Sequence, residues 1–171
     1  LGFAAGCNVG IEQARGDWIL TLNNDTIPSD DFLPLLIEAA RSAAPHVGML
    51  QPRIRLLGRQ QLNSTGVLVH RDGSANDRDF GAPLETRREP DEVLCATAGA
   101  GCYRREMLDE VRLRSGWFDP SYFMYFEDVD LGWRCRLAGW QAHYLPTPIV
   151  DHVFQGSSQR HGQHFVTIHC S

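Results

Sequence analysis

The order of apolar and polar stretches predicts an α/β fold, helices packed on an open sheet. Three observations carry that expectation. Short apolar runs of strand length alternate with segments of helical periodicity along the chain. One run, Trp18-Ile19-Leu20-Thr21-Leu22, is almost continuously apolar, as a strand buried on both faces would be. It runs out into a polar tip, Asn23-Asn24-Asp25-Thr26, before Pro28, and in open α/β sheets the carboxyl ends of strands are where ligands bind.

Leu1 to Arg15 places Val9, Ile11 and Ala14 at helical spacing with Asn8 as the expected N-cap, so a helix follows a turn containing Gly2 and Gly6. Helix, strand and polar tip together make the second half of a βαβ unit, whose first strand is expected upstream of residue 1. The chain begins Leu1-Gly2-Phe3 without methionine and reads as a fragment. Ser29-Asp30-Asp31 should cap a helix through about Ala44, with Phe32, Leu35, Leu36 and Ala39 on one face. Val47 to Ile54 reads as a strand that Pro52 places at a sheet edge. Gly66 to His70 is a strand entering a turn, and Ser74 to Asp91 reads as a mobile loop or lid.

Val93 to Arg104 reads as two short strands joined where side chains must be absent, with Gly99 and Gly101 allowing close approach of a ligand. A short helix over Arg105 to Val111 precedes a turn, Gly116-Trp117-Phe118-Asp119-Pro120, and then an aromatic run of Tyr122, Phe123, Tyr125 and Phe126. Glu127 opens a helix in which Leu131, Cys135 and Ala138 share a face and Gly139 is the stop. Trp140 to Leu145 and Ile149 to Val153 read as two final strands, and Phe165-Val166-Thr167-Ile168 is the one patterned stretch of the tail.

Composition narrows the functions available. With 171 residues, 43% hydrophobic and 22% charged, the chain suits one folded domain rather than disorder. A formal charge of −5 gives no footprint for nucleic acid or anionic lipid. All sixteen basic residues are arginine, which excludes a Walker-type phosphate lysine and any Schiff base. The five cysteines show neither a CxxC pair nor zinc-ligand spacing and read as reduced thiols in a cytosolic setting. No apolar run approaches the roughly 20 residues of a membrane span.

Three polar clusters could converge in one cleft: Asn23/Asp25 at a strand tip, Glu127/Asp128/Asp130 in a first helical turn, and Asp151/His152 on a late strand. Such a cleft would hold a divalent cation together with a general base. Each cluster also has an ordinary structural role open to it, as a turn, as acids favoured by the helix dipole, or as a surface histidine. Mutual repulsion among the three helix acids is expected to raise at least one carboxyl. Trp117, Tyr122 and Tyr125 could present an aromatic face to a ligand or pack in the core.

Five blocks, taken in order and spacing, carry a specific resemblance: Gly2-Phe3-Ala4-Ala5-Gly6-x-Asn8; Gly16-Asp17-Trp18 through Leu22-Asn23-x-Asp25-Thr26; Gly99-x-Gly101 through Arg104-Arg105-Glu106; Gly116-x-Phe118-Asp119; and Phe123-x-Tyr125-x-Glu127-Asp128-Val129-Asp130-Leu131-x-x-Arg134. The pattern resembles the family 2 glycosyltransferases, in particular the rhamnosyltransferase-like branch. The resemblance implies a GT-A fold, a Rossmann-like mixed sheet flanked by helices with its first βα portion missing. It covers residues 1–158 as a partial GT-A domain and leaves 159–171 as a tail.

The implied reaction is inverting transfer of a sugar from a nucleotide-diphosphate sugar donor to a hydroxyl of a glycan or lipid-linked acceptor. By the same resemblance Asp25 would ligate Mg²⁺ or Mn²⁺, with His152, followed by Gly156 and Ser157, completing the metal site. Asn23 stands where the first aspartate of a DxD motif often is, which leaves less negative charge on the metal. Asp128 would be the general base with Glu127 beside it; Gly6, Asn8, Asn23 and Asn24 would face the donor, and Gly99, Gly101, Trp117 and Tyr125 the acceptor. The implied setting is cytoplasmic, at the inner face of the plasma membrane, with peripheral membrane association through missing regions. Two other readings stay open: a sugar-nucleotide-binding module without turnover, and a metal-dependent nucleotidyltransferase, which the absence of lysine disfavours.

Overall fold

A computed structural model of the protein describes residues 2–122, 125–153 and 165–170. Helix α1 (Phe3–Gln13) leads into strand β1 (Trp18–Asn23), and the polar tip turns directly into a short β2 (Thr26–Pro28). Helix α2 (Phe32–Ser42), β3 (Val47–Leu56), β4 (Leu62–Ser64) and the β5 (Val67–Val69) to β6 (Ala75–Asp77) hairpin follow. Then come β7 (Asp91–Val93), β8 (Ala100–Arg104), α3 (Arg105–Glu110), α4 (Glu127–Leu137), β9 (Gln141–His152) and β10 (Phe165–Cys170).

The main sheet has the order β10-β1-β8-β3-β9-β2, with β4 on β3 and β7 on β9. Only the β3/β9 pair is parallel among these, so the sheet is mixed. Its side chains alternate between two cores, as the two-residue strand period requires. Trp18, Leu20 and Leu22 of β1 join Phe32, Leu36 and Ala40 of α2 on one face. Ile19 of the same strand joins Ile11 of α1, Met107 of α3 and Leu131 of α4 on the other. Phe118 anchors that second core, edge-on to Phe3 at 6.4 Å and to Tyr103 at 5.8 Å.

Several expectations change. Asn8 lies inside α1 rather than at its cap, because the helix starts at Phe3 after Gly2, whose φ is 77°. Gly6 is likewise helical, its N–H bonded to the Gly2 carbonyl at 3.2 Å. Pro52 does not mark an edge: β3 lies between β8 and β9. The β8 pairing spans only Met49 and Leu50, and a register shift beside β9 falls at Pro52/Arg53, so the missing N–H breaks no ladder there. The two expected final strands are one, β9, which skips Pro146–Pro148 as Leu145 pairs with Pro52 and Ile149 with Arg53.

The stretch Ser74 to Asp91 contains β6 and then a loop fastened by arginines. Arg78 grips both oxygens of Asp91 at 2.8 and 2.9 Å. Arg53 donates to the carbonyls of Leu84, Thr86 and Arg87 and to the Tyr144 hydroxyl. Among the described residues no helix is long and apolar enough to cross a membrane.

Candidate active site

The tip of β1 is held by three backbone and side-chain contacts. The Asn23 N–H donates to the Gly99 carbonyl at 2.9 Å, and the Thr26 hydroxyl donates back to the Asn23 carbonyl at 2.5 Å. Strand β2 then pairs with the end of β9, placing Thr26 opposite His152, while the Val153 N–H donates to the Asp25 carbonyl at 2.9 Å. This register brings Asp25 Oδ1 to 3.3 Å from His152 Nε2.

The other ring nitrogen of that histidine also has a partner. Nδ1 lies 2.7 Å from Asn63 Oδ1, and in the tautomer with the hydrogen on Nδ1 that amide oxygen accepts it and Nε2 faces the carboxylate as a lone pair free for a cation. Both Asp25 carboxylate oxygens and Asn23 Oδ1 are buried without a hydrogen-bond donor. Several acceptors facing inward with no proton between them are costly unless a cation joins them. The oxygen-rich set with one imidazole nitrogen suits Mg²⁺ or Mn²⁺. Among the described residues no group of three or more His, Cys, Asp or Glu gathers at one point, so phosphate and water oxygens would have to complete the coordination. Asp151 takes no part, because strand alternation turns it to a two-pronged pair with Arg55 at 2.7 and 2.8 Å.

Asp128 enters from α4. Its Oδ2 accepts from the Ala98 N–H at 3.2 Å and its Oδ1 from the Val129 N–H at 2.9 Å. Burial pushes its carboxyl above the ordinary aspartate value, and the backbone donors pull the other way. Glu127 is only 5% exposed, its Oε2 has no partner, and its carboxyl is pushed up to about 7, chiefly by burial and less by the neighbouring Asp128 charge. Repulsion is thus the smaller cause, contrary to expectation. Asp130 is neutralised by Arg134 at 2.8 and 3.0 Å, and the same guanidinium ties down the carbonyls of Val111 and Trp117.

The remaining candidates divide between site and scaffold. Gly99 is at the site: a Cβ there would stand 3.4 Å from the Asn23 amide nitrogen. Asn24 is exposed at the tip, and Tyr125 is 69% exposed just before α4. Tyr125 and Phe126 both hold positive φ, 71° and 69°, a costly backbone for two non-glycine residues in succession. Asn8, expected at the donor, is a pin: its Oδ1 accepts from the Trp117 and Phe118 N–H groups at 3.0 and 2.9 Å, and its Nδ2 donates to the Phe118 carbonyl at 2.7 Å. Trp117, expected at the acceptor, is buried in the core with its indole N–H on Asp109. Gly101, also expected there, is a buried β8 residue opposite Thr21, where a Cβ would meet the Tyr103 hydroxyl at 2.5 Å. Gly6 is part of α1. Phe123, Gly156 and Ser157 lie outside the described residues.

Three residues around the site carry no motif. Asn63 contacts the His152 ring at Nδ1, and Gln51 accepts from the Thr97 N–H at 2.7 Å, holding the segment before Ala98. Asp77 is the third: burial raises its carboxyl to about 6, and the charge of Asp128 adds to the rise.

This arrangement, a mixed sheet between helical layers with a carboxylate at a strand tip and another on a following helix, is the GT-A fold. It is similar to a crystal structure of GalNAc-T7 with UDP, GalNAc and Mn²⁺, with a TM-score of 0.65 and 15% identity over 89% of this chain and 30% of that one. A family model, glycosyltransferase like family 2, matches residues 1–164, and the chain belongs to the family 2 glycosyltransferases. It is 31% identical over 148 residues to the N-acetylglucosaminyl-diphospho-decaprenol L-rhamnosyltransferase of Mycobacterium tuberculosis, covering 80% of this chain and 47% of the relative. It is 32% identical over 141 residues to the rhamnosyltransferase WbbL of Escherichia coli, covering 78% and 51%. The chain thus spans about half the length of these curated relatives.

Proposed function

We propose that this chain carries the catalytic site of a metal-dependent, inverting glycosyltransferase, moving a sugar from a nucleoside-diphosphate sugar to a hydroxyl of a glycan or lipid-linked acceptor. One observation carries the reading. Two adjacent residues join the strand tip to the helix: the Gly99 carbonyl accepts from Asn23, and the Ala98 N–H donates to Asp128. A donor diphosphate at the tip and an acceptor hydroxyl at Asp128 would therefore meet across a single short segment.

Asp25, His152 and the Asn23 amide oxygen would hold Mg²⁺ or Mn²⁺. That cation, when bound, supplies positive charge to the departing diphosphate. Asp128 accepts the proton of the acceptor hydroxyl as it attacks, and its two backbone hydrogen bonds hold it oriented for that transfer. Glu127, with a carboxyl near neutrality, keeps full negative charge from accumulating beside it. One displacement inverts the anomeric centre. The relatives' names support rhamnose as the sugar transferred and a diphosphate-linked lipid as the acceptor. A lipid acceptor would set the work at a membrane surface, on its cytoplasmic side.

The test is Asp128→Asn. Transfer should fall by at least roughly a hundredfold, the usual worth of a general base, while nucleotide-sugar affinity stays within a factor of about two. Unchanged turnover would remove Asp128 as the base.

A further inference from the structure

Helix α4 has a second flank, turned to the β5–β6 hairpin. Between the two lies a groove of about 630 Å³. Leu68 and Trp133 line it and are 43% and 47% exposed, so two large apolar groups meet water in one depression. The charged residues lining it are Arg71, Arg78, Arg136 and Glu92, a positive balance on a chain whose formal charge is −5.

Two of those arginines are committed, Arg78 to Asp91 and Arg136 to Glu92. Arg71 is exposed and has no side-chain partner among the described residues. The acid beside it, Asp72, accepts from the Ser74 hydroxyl and N–H at 2.7 and 3.0 Å and forms no ion pair with Arg71 among the described residues. The groove shares helix α4 with the base. Trp133 and Arg136 lie five and eight residues beyond Asp128 on the same helix, about 8 and 12 Å along its axis. The hairpin is tied to the same region by the Val67 N–H, which donates to the Cys95 carbonyl at 3.1 Å.

An apolar wall under an uncommitted cation fits an anionic amphiphile. We infer that the groove receives the diphosphate and first prenyl segment of a lipid-linked acceptor, with Arg71 on phosphate and Trp133 and Leu68 on hydrocarbon. This rests on the transfer reaction proposed above. The acceptor sugar then spans from the groove to Asp128, with its linker running along α4.

The probes are N-acetylglucosaminyl diphosphate carrying a farnesyl chain and, as the phosphate-free control, octyl N-acetylglucosaminide, both titrated calorimetrically into the whole chain. Arg71→Glu should weaken the farnesyl probe by about tenfold or more, the worth of one charge-assisted contact. Arg71→Lys should restore it, and the control should respond to Trp133→Ala but not to Arg71→Glu. No binding of the farnesyl probe, or binding indifferent to both substitutions, overturns the inference. A groove that pairs two copies of the chain would show as self-association lost in both variants with probe affinity unchanged, which overturns it too. Nucleotide-sugar binding with Mn²⁺, measured separately, should survive both substitutions. Its absence from the unaltered protein would count against the transferase reading instead.

Discussion

Asn63 contacts the His152 ring at Nδ1, and the tautomer that contact favours is the one that leaves Nε2 open to a cation beside Asp25. Asn63→Ala should therefore weaken Mn²⁺ binding by roughly tenfold or more without touching a ligand, as removal of an outer hydrogen-bond partner does. A Mn²⁺ titration followed by electron paramagnetic resonance reads this directly. Glu127 makes a second residue-level prediction. Its carboxyl lies near 7 when folded against a model value of 4.5, so the folded state binds the extra proton between those values. Stability is then fullest below about pH 4.5 and falls as pH rises toward 7, by on the order of 3 kcal/mol from this residue. Glu127→Gln should remove that slope and be the more stable protein at pH 8; equal urea midpoints at pH 5 and pH 8 in the unaltered protein would refute the assignment. Asp25, Glu127, Asp128 and His152 were legible in the sequence as carboxylates or imidazole at strand ends and a helix start. Asn63 and Asp77 were not, since what matters about them is a neighbour 89 residues away for one and a buried charge for the other. Asn8, Gly101 and Trp117 were misread because an amide, a glycine or an indole serves a core as readily as a ligand.

Among the elements, α4 was read most fully: its start at Glu127, its buried Leu131 and Cys135, and its stop at Gly139 follow from spacing and a positive-φ glycine. Its packing was not legible. A Cβ on Gly132 would stand 2.4 Å from the Cys95 Cβ, so α4 rides directly on the segment leading to Ala98. Gly132→Ala should cost about 1–3 kcal/mol by overpacking, seen as a lower urea midpoint, and should displace Asp128 with its helix. The 74–91 stretch was misread for a related reason. Polar composition suggested mobility, yet three donor contacts from Arg53 hold the loop to the sheet, while a fourth orients the arginine against the Tyr144 hydroxyl. Arg53→Ala should release it, at about 2–3 kcal/mol, with faster amide exchange over residues 82–88. Exchange unchanged there would mean the arginine does not hold the loop.

At the scale of the whole molecule, two cores on opposite faces of one mixed sheet fix where the strands end. The parallel β3/β9 pair carries His152 to the same edge as the β1 tip, and β8 feeds Gly99 between that tip and α4. The α/β class was legible from alternating periodicities. The sheet order was not, because antiparallel neighbours such as β1 and β8 lie 80 residues apart, Thr21 facing Gly101. Under the proposed function this edge binds a nucleoside diphosphate through a cation held by Asp25 and His152. Calorimetric titration of nucleoside-diphosphate sugars with Mn²⁺ and with excess chelator, on the unaltered chain and on Asp25→Ala, tests that binding. Binding should require Mn²⁺ and weaken by at least about tenfold in the variant. Affinity indifferent to chelator and to Asp25→Ala would contradict it.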